Sequence, residues 1–481
     1  MDHKSIKMAS IERQVDEESN AGDVIKNSVK TLISNQKQFF NSNATKSLDF
    51  RIEQLKKLKS AIKSSERELL DAVFADFQKG SFNTLVTEFS GVYNELDLAI
   101  RKLKSWSKSK RVTTHMANLP GASYIMPEPL GTCLIIGAWN YPINLNLVPT
   151  IAALAAGNTV ILKPSELAAH TSAALSKMIA KYFDPRVLTV VEGGVKETTE
   201  LLEQSFDKIF FTGSVSVGRI VYQAAAKHLT PVTLELGGKS PLIIAADANL
   251  TIVVKRLVWG KFVNAGQTCV APDYVLVDKR IENSFLDILK EEIKLAQFSL
   301  ENENYAQIIS ERHFDRLVSL IDPKTVLVGG EHDRSRRLIA PTVLTNIAGD
   351  DKVMEDEIFG PILPVLTYEN VEGAVSFVKS RPKPLALYLF TESSSIRERI
   401  FSEVSFGGGA VNDVLVHLAN DELPFGGVGN SGTGSYHGEA GFKAFSHYKS
   451  FIRRPTWFEP PLKYYPYKDW KLAVIRKLFG M

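Results

Sequence analysis

C-L-I-I-G-A-W-N, residues 133–140, opens with four residues that carry no charged or amide side chain, stops at a glycine, and ends on Trp139 and Asn140. Four more short apolar runs follow it: T-V-I-L-K-P-S (159–165), V-L-T-V-V-E-G-G (187–194), K-I-F-F-T-G-S (208–214) and V-T-L-E-L-G-G (232–238). Segments of helical length separate most of them. Continuous apolar strands alternating with helices imply a parallel sheet covered on both faces. In such sheets ligands bind beyond the carboxyl ends of the strands. The residues to inspect therefore follow each run: Trp139-Asn140, Lys163 to Glu166, Thr212 to Gly218, and Glu235.

Outward from this block the texture changes. Upstream, from about Asp23 to Trp106, the pattern is helical. Leu55, Leu58, Ile62, Leu69, Val73 and Phe77 fall mostly three or four apart, with Gly80 as a stop. Phe89, Tyr93, Leu96, Ile100, Leu103 and Trp106 repeat the pattern. Residues 113–127 read as an excursion or hairpin, and residues 1–21, polar and aperiodic, as disordered. Downstream, a second α/β region over roughly 238–425 carries E-D-E-I-F-G-P (355–361). The glycine-dense loops S-F-G-G-G-A-V-N-D and P-F-G-G-V-G-N-S-G-T-G supply irregular backbone able to line a site.

The bulk composition narrows the classes. With 481 residues there is room for two or three domains. A net charge of +3 argues against a dedicated nucleic-acid binder. Two cysteines make no disulfide framework and fit a reducing compartment such as the cytoplasm. The start lacks an apolar h-region, so no secretory signal is expected, and no run is long enough to span a bilayer. Residues 453–481 hold seven Lys or Arg against two acids, a local +5 within an aromatic-rich tail.

The chemistry gathers on few residues. Cys133 lies inside an apolar run and reads as core. Cys269, in G-K-F-V-N-A-G-Q-T-C-V-A-P (260–272), sits where a helical pattern gives way to a glycine-containing turn, a place for presenting a side chain. A thiolate adds to a carbonyl carbon, and the hemithioacetal can lose hydride to give a thioester that water resolves. Glu235, ending a strand, is placed to activate that water. Asn140 and the backbone N–H of Cys269 can donate to the oxyanion. T-G-S-V-S-V-G-R (212–219) sets Gly213 and Ser214 at a helix N-terminus, which favours a phosphate. Alone, this is also an ordinary strand-to-helix turn. Lys163 and Glu166 in L-K-P-S-E can grip ribose hydroxyls, and an acid on the 2′-hydroxyl disfavours a 2′-phosphate. The histidines show no metal spacing, and G-N-S-G-T-G is not the G-x-S-x-G of a serine hydrolase.

Taken in order, A-W-N-Y-P, L-K-P-S-E, F-T-G-S-x-x-V-G, L-E-L-G-G-K-S-P, G-Q-T-C, E-I-F-G-P and P-F-G-G-V-G-N-S-G-x-G-S-Y-H-G resemble the aldehyde dehydrogenase superfamily, and most its class-three or fatty-aldehyde branch. The resemblance runs from about residue 30 to the end. It implies an α/β fold with a Rossmann-like parallel-sheet cofactor domain (22–112 and 128–237), a second α/β catalytic domain (238–430), and a small oligomerisation arm with the C-terminal tail (113–127 and 431–481). It implies Cys269 as nucleophile, Glu235 as general base and Asn140 in the oxyanion hole. Lys163 and Glu166 would hold the adenosine ribose, and Gly213, Ser214 and Gly218 would border the pyrophosphate. Glu357 would bind the nicotinamide ribose and Phe359 pack near its ring. The cofactor is NAD, with NADP admitted because class-three members often accept both.

The activity so implied is oxidation of an apolar, aliphatic or aromatic, aldehyde to the acid by a homodimer. Resolution of the thioester by coenzyme A is the alternative within enzymes; a water-activating Glu235 argues against it. A catalytically silent homologue is the other alternative, against which stand Cys269, Glu235, Asn140 and Glu357 together. The tail adds an expectation of peripheral membrane contact. Trp470, Ala473, Val474, Lys477 and Leu478 form a weak amphipathic face, with Lys471, Arg476 and Lys477 open to anionic headgroups.

Overall fold

The computed structural model describes residues 28–480, so the disorder expected over 1–21 lies outside the described residues. Helices fill the region before the first sheet: 28–41, Leu48–Phe77, Ser81–Thr84, a π-helical Leu85–Phe89, and Ser90–Trp106. Leu55, Leu58, Ile62, Leu69, Val73 and Phe77 are fully buried along one face of the long helix. The stop differs from the sequence reading. Gln78 takes the left-handed conformation (φ 51°) and donates its N–H to Phe74, whereas Gly80 has φ −61° and opens the next segment. A side-chain amide tolerates this geometry well enough to end a helix without glycine.

All five apolar runs are strands: β1 Thr132–Ile136, β2 Thr159–Lys163, β3 Leu188–Val190, β4 Lys208–Thr212 and β5 Val232–Glu235. They form one sheet in the order β5-β4-β1-β2-β3, parallel throughout, with Gly432–Thr433 antiparallel on the β5 edge. Cys133, Leu134 and Ile135 are fully buried, as a sheet covered on both faces requires. From β1 the chain moves outward to β2 and β3, then returns to the other side of β1 for β4 and β5. The order therefore reverses between β1 and β4, where α/β sheets open a crevice for ligands. Gly137 to Asn140 and Gly213-Ser214 leave the sheet at that point.

Past Glu235 the chain enters a second sheet of seven strands, ordered Val326–Val328, Thr342–Leu344, Ile362–Tyr368, Tyr274–Asp278, Pro241–Ile244, Ala386–Phe390 and Gly408–Val411. Only the first of these runs antiparallel to its neighbour. Among the described residues both sheets belong to one compact unit, 28–106 with 129–446.

A separate small unit comprises 107–128 and the chain from His447 onward. It is narrower than the arm read from sequence, because 431–446 stays with the larger unit. Gly432 pairs with Glu235 there, and the N–H of Gly438 donates to both carboxylate oxygens of Glu95 at 3.0 Å. Within the small unit, Lys110–Val112, Ala122–Pro129 and Ser446–Arg453 form a three-stranded sheet, with Tyr124 stacked on Phe451 at 5.2 Å. The last helix, Asp469–Phe479, exposes Trp470, Val474 and Leu478 as expected. Lys471 does not face outward: it is buried, and its ammonium donates to the Tyr464 carbonyl at 2.5 Å. No helix among the described residues is long and apolar enough to cross a membrane.

Candidate active site

The turn that presents Cys269 begins at the end of the helix Leu250–Phe262. Asn264, Ala265 and Gly266 follow in the left-handed region, at φ 54°, 52° and 71°. For Ala265 this costs about 1–2 kcal/mol. Side-chain hydrogen bonds over-determine the turn. The Asn264 amide donates to the carbonyls of Asn140 (2.9 Å) and Gln267 (3.2 Å). Gln267, fully buried, donates to the carbonyls of Asn264 (3.1 Å) and Gln307 (3.0 Å) and accepts from the N–H of Ile309 (3.0 Å). A Cβ at Gly266 would stand 2.3 Å from the carbonyl oxygen of Gly360, so the turn packs backbone to backbone against E-I-F-G-P.

A cleft of about 770 Å³ lies beyond the strand ends and is lined by Asn140, Gly213, Ser214, Glu235, Cys269, Glu357 and Phe359. Seven of the ten residues singled out from the sequence thus share one cavity. Asn140 is buried, and its amide donates to the Gln267 carbonyl at 3.1 Å, tying it to the turn before Cys269. Glu235 ends β5, is 3% exposed, and neither carboxylate oxygen has a hydrogen-bond partner among the described residues. Burial pushes its carboxyl well above the usual range. The Cys269 thiol is raised to about 12, by burial first and then by the Glu357 and Glu235 carboxylates. Burial, with the Asp273 charge, likewise lifts Glu357 to about 8, while the Gly238 N–H and the cations Lys239 and Arg316 oppose the rise. The Phe359 ring stands edge-on to Trp139 at 5.3 Å, and its carbonyl accepts from His313 Nε2 at 2.8 Å.

The other three residues lie off the cavity lining. Lys163 ends β2, buried, with its ammonium 2.8 Å from the Pro164 carbonyl and 4.0 Å from Glu166. Glu166 is half exposed in the loop beyond. Gly218 lies in the first turn of the next helix, and a Cβ there would meet the Leu236 side chain at 2.6 Å. The helix it belongs to, Val215–Ala226, begins at the cleft with Ser214 as cap, accepting from Val217, and its first residues Val215 and Ser216 line the cavity. A 12-residue helix starting there offers N–H donors and a positive dipole end to a pyrophosphate. A dinucleotide fits these residues.

Several supports went unread in the sequence. Lys239 donates to Asp273 (2.5 Å) and to the carbonyls of Val353 and Asp356 (both 2.9 Å), while Asp273 accepts from the N–H of Ile358 (2.9 Å). Together they hold the loop carrying Glu357. Lys239 stood within a quoted motif, L-E-L-G-G-K, but Asp273 resembles any loop acid. Asn264 and Gln267 precede Cys269, and their signal was amide side chains where a turn needed only small residues.

The family model described as "Aldehyde dehydrogenase family" matches residues 16–451. The 4,4'-diaponeurosporen-aldehyde dehydrogenase of Staphylococcus aureus is 44% identical over 457 residues, 94% of this chain and 99% of that protein. The dimeric, NADP-preferring aldehyde dehydrogenase of Rattus norvegicus is 45% identical over 88% of this chain and 94% of its own length. The solved substrate-bound state of Staphylococcus aureus AldH superposes with a TM-score of 0.91 at 44% identity, over 94% of this chain and 99% of that one.

Proposed function

We propose that the chain, which belongs to the aldehyde dehydrogenase family and so is an oxidoreductase acting on aldehydes with NAD or NADP, oxidises apolar aldehydes to carboxylic acids through a thioester on Cys269. The observation that carries this is the convergence on one cleft of the Cys269 thiol, the unpartnered carboxyl of Glu235 and the loop-tethered amide of Asn140. Sγ attacks the carbonyl carbon as the thiol gives up its proton to solvent. The oxyanion accepts from the Asn140 amide and the Cys269 N–H. Glu357 and Phe359 hold the nicotinamide end of the cofactor, the helix starting at Val215 its phosphates, and Lys163 with Glu166 its adenosine ribose. When bound, the nicotinamide supplies the acceptor for the hydride leaving the hemithioacetal carbon. Glu235 then takes a proton from water, whose oxygen adds to the thioester and releases the acid and the thiol.

Apolar substrates are supported by the apolar part of the cleft lining, to which Trp139, Leu145, Met354, Phe359, Phe425 and Tyr436 contribute. The Staphylococcus aureus relative is itself named for 4,4'-diaponeurosporen-aldehyde. An aldehyde panel read at 340 nm with NAD and NADP tests the proposal. Long aliphatic and benzaldehyde-like substrates are expected to exceed a polar semialdehyde by about tenfold or more in kcat/KM, since each buried methylene adds about 0.8 kcal/mol. Faster turnover of the semialdehyde would rule out the apolar assignment.

A homodimer in a reducing, cytoplasmic setting with peripheral membrane contact completes the reading. The strand Ser446–Arg453 forms one edge of its sheet, a position suited to pairing with a strand of a second copy. A relative 45% identical is named dimeric. Trp470, Leu472, Val474, Leu478 and Phe479 are exposed beside Lys468, Arg476 and Lys477, a composition suited to an anionic bilayer surface. Removing residues 462–481 is expected to abolish co-sedimentation with phosphatidylserine vesicles and to leave a dimer by light scattering. Unchanged vesicle binding removes the membrane contact; a monomeric variant moves the dimer contact into the tail.

A further inference from the structure

Two ionisable residues buried near the site have no part in the chemistry above. Lys79 and Glu88 have side chains 2% and 0% exposed and pair at 3.0 Å. Burying such a pair gives up about as much solvation as the attraction returns, so general stability is a poor reason for its presence. Its contacts supply a better one. Glu88 lies in the π-helical turn Leu85–Phe89, an irregularity often found beside functional sites. Its second carboxylate oxygen accepts from the N–H of Ile143 at 2.8 Å, and its backbone carbonyl accepts from the Asn144 amide at 3.3 Å. The Lys79 ammonium lies 4.5 Å from the centre of the Tyr141 ring. The Tyr141 and Thr268 hydroxyls share a hydrogen bond of 2.5 Å. One line of contacts thus joins the segment that begins with Asn140 to the residue preceding Cys269.

We propose that Lys79, Glu88 and Tyr141 are positioning residues that hold the Asn140 amide and the Cys269 thiol in register, the Tyr141–Thr268 hydrogen bond being the final link. The inference rests on the assignment of Cys269 and Asn140 made above. Glu88 fixes the 140–144 segment at two points beyond Tyr141, so the ring has little freedom to turn. Lys79, paired with Glu88, caps one face of the ring. The phenol, held this way, is a fixed anchor for Thr268, whose neighbouring turn is otherwise strained. Freed from that anchor, Cys269 shifts relative to the amide, and a displacement of about 1 Å costs on the order of 10²-fold in rate.

The test uses the full chain, with steady-state oxidation at 340 nm, thermal unfolding and NAD affinity measured on each variant. Tyr141→Phe and Thr268→Val are each expected to lower kcat about 10- to 100-fold, with KM for the aldehyde within about threefold. NAD affinity and the unfolding midpoint should stay near those of the parent. Thr268→Ser, which keeps the hydroxyl, recovers most of kcat. The double variant Tyr141→Phe/Thr268→Val is no slower than the worse single one, because both remove the same bond. Lys79→Met lowers kcat in the same manner and adds little to Tyr141→Phe; should it fail to fold, the Tyr141 and Thr268 variants still decide. Tyr141→Phe within twofold of the parent, or losses in the double variant that multiply, overturns the proposal. Cys269→Ala run alongside separates the two readings: turnover surviving in that variant removes the nucleophile assignment itself, whereas full activity in Tyr141→Phe removes only the brace.

Discussion

Cys269→Ala abolishes aldehyde oxidation while the cofactor still binds. The expected fall in kcat is on the order of 10⁵-fold or more, the scale seen when an enzyme acting through a covalent intermediate loses its nucleophile. No substitute stands nearby: the other cysteine, Cys133, is fully buried inside β1 and raised far above its ordinary range by burial and the Asp207 charge. Alanine fits the half-buried site without strain, and the hydrogen bonds that shape the turn come from Asn264 and Gln267 rather than the thiol. The fold and the helix start at Val215 are untouched, so NAD or NADP titration by fluorescence should match the parent. Turnover above about one-hundredth of the parental rate would sink the covalent mechanism.

Glu235→Gln has the second largest effect, with a different signature. A general base contributes about 10²- to 10⁴-fold, so steady-state turnover falls by that factor. The thioester still forms, because water attack alone needs the carboxylate. Rapid mixing should therefore show a burst of reduced cofactor matching the active sites, followed by slow release. Glutamine preserves the volume at a position where neither oxygen had a hydrogen-bond partner among the described residues, so folding is not at risk. The pH dependence follows from burial. Because the carboxyl is held protonated well above the usual range, the active carboxylate accumulates as pH rises through that elevated value. Parental kcat should climb as pH rises through that elevated value, and the glutamine variant should lose that climb. Parental steady-state rates in Glu235→Gln, or an unaltered pH profile, would remove the base assignment.

The strands were legible because parallel strands buried on both faces write themselves as unbroken apolar runs; all five runs of the first sheet are strands. Cys269 and Glu235 were legible for a related reason. Each breaks a local pattern, a thiol in a polar turn and an acid closing an apolar strand. At Gly218 a glycine beside a helix start serves phosphate approach and helix packing equally well, and the structure adds only that a Cβ there would meet Leu236 at 2.6 Å. Lys471 misled because an amphipathic count assigns it to solvent, while the carbonyl of Tyr464 draws its ammonium inward. Lys79, Glu88 and Asp273 gave no signal at all. Their partners lie from 9 to 85 residues away, and no local pattern encodes a contact at that range.

The close approach of Gly266 to Gly360 bears on how this catalyst can change. Nicotinamide placement and nucleophile placement look like separate traits, yet the two loops touch through bare backbone at Gly266 and Gly360. Any insertion or bulkier residue that recontours 355–361 around the nicotinamide end moves Cys269 as well. Engineering routes that treat the cofactor wall as an independent module therefore meet a rigid partner, and compensating changes at 264–267 must accompany them.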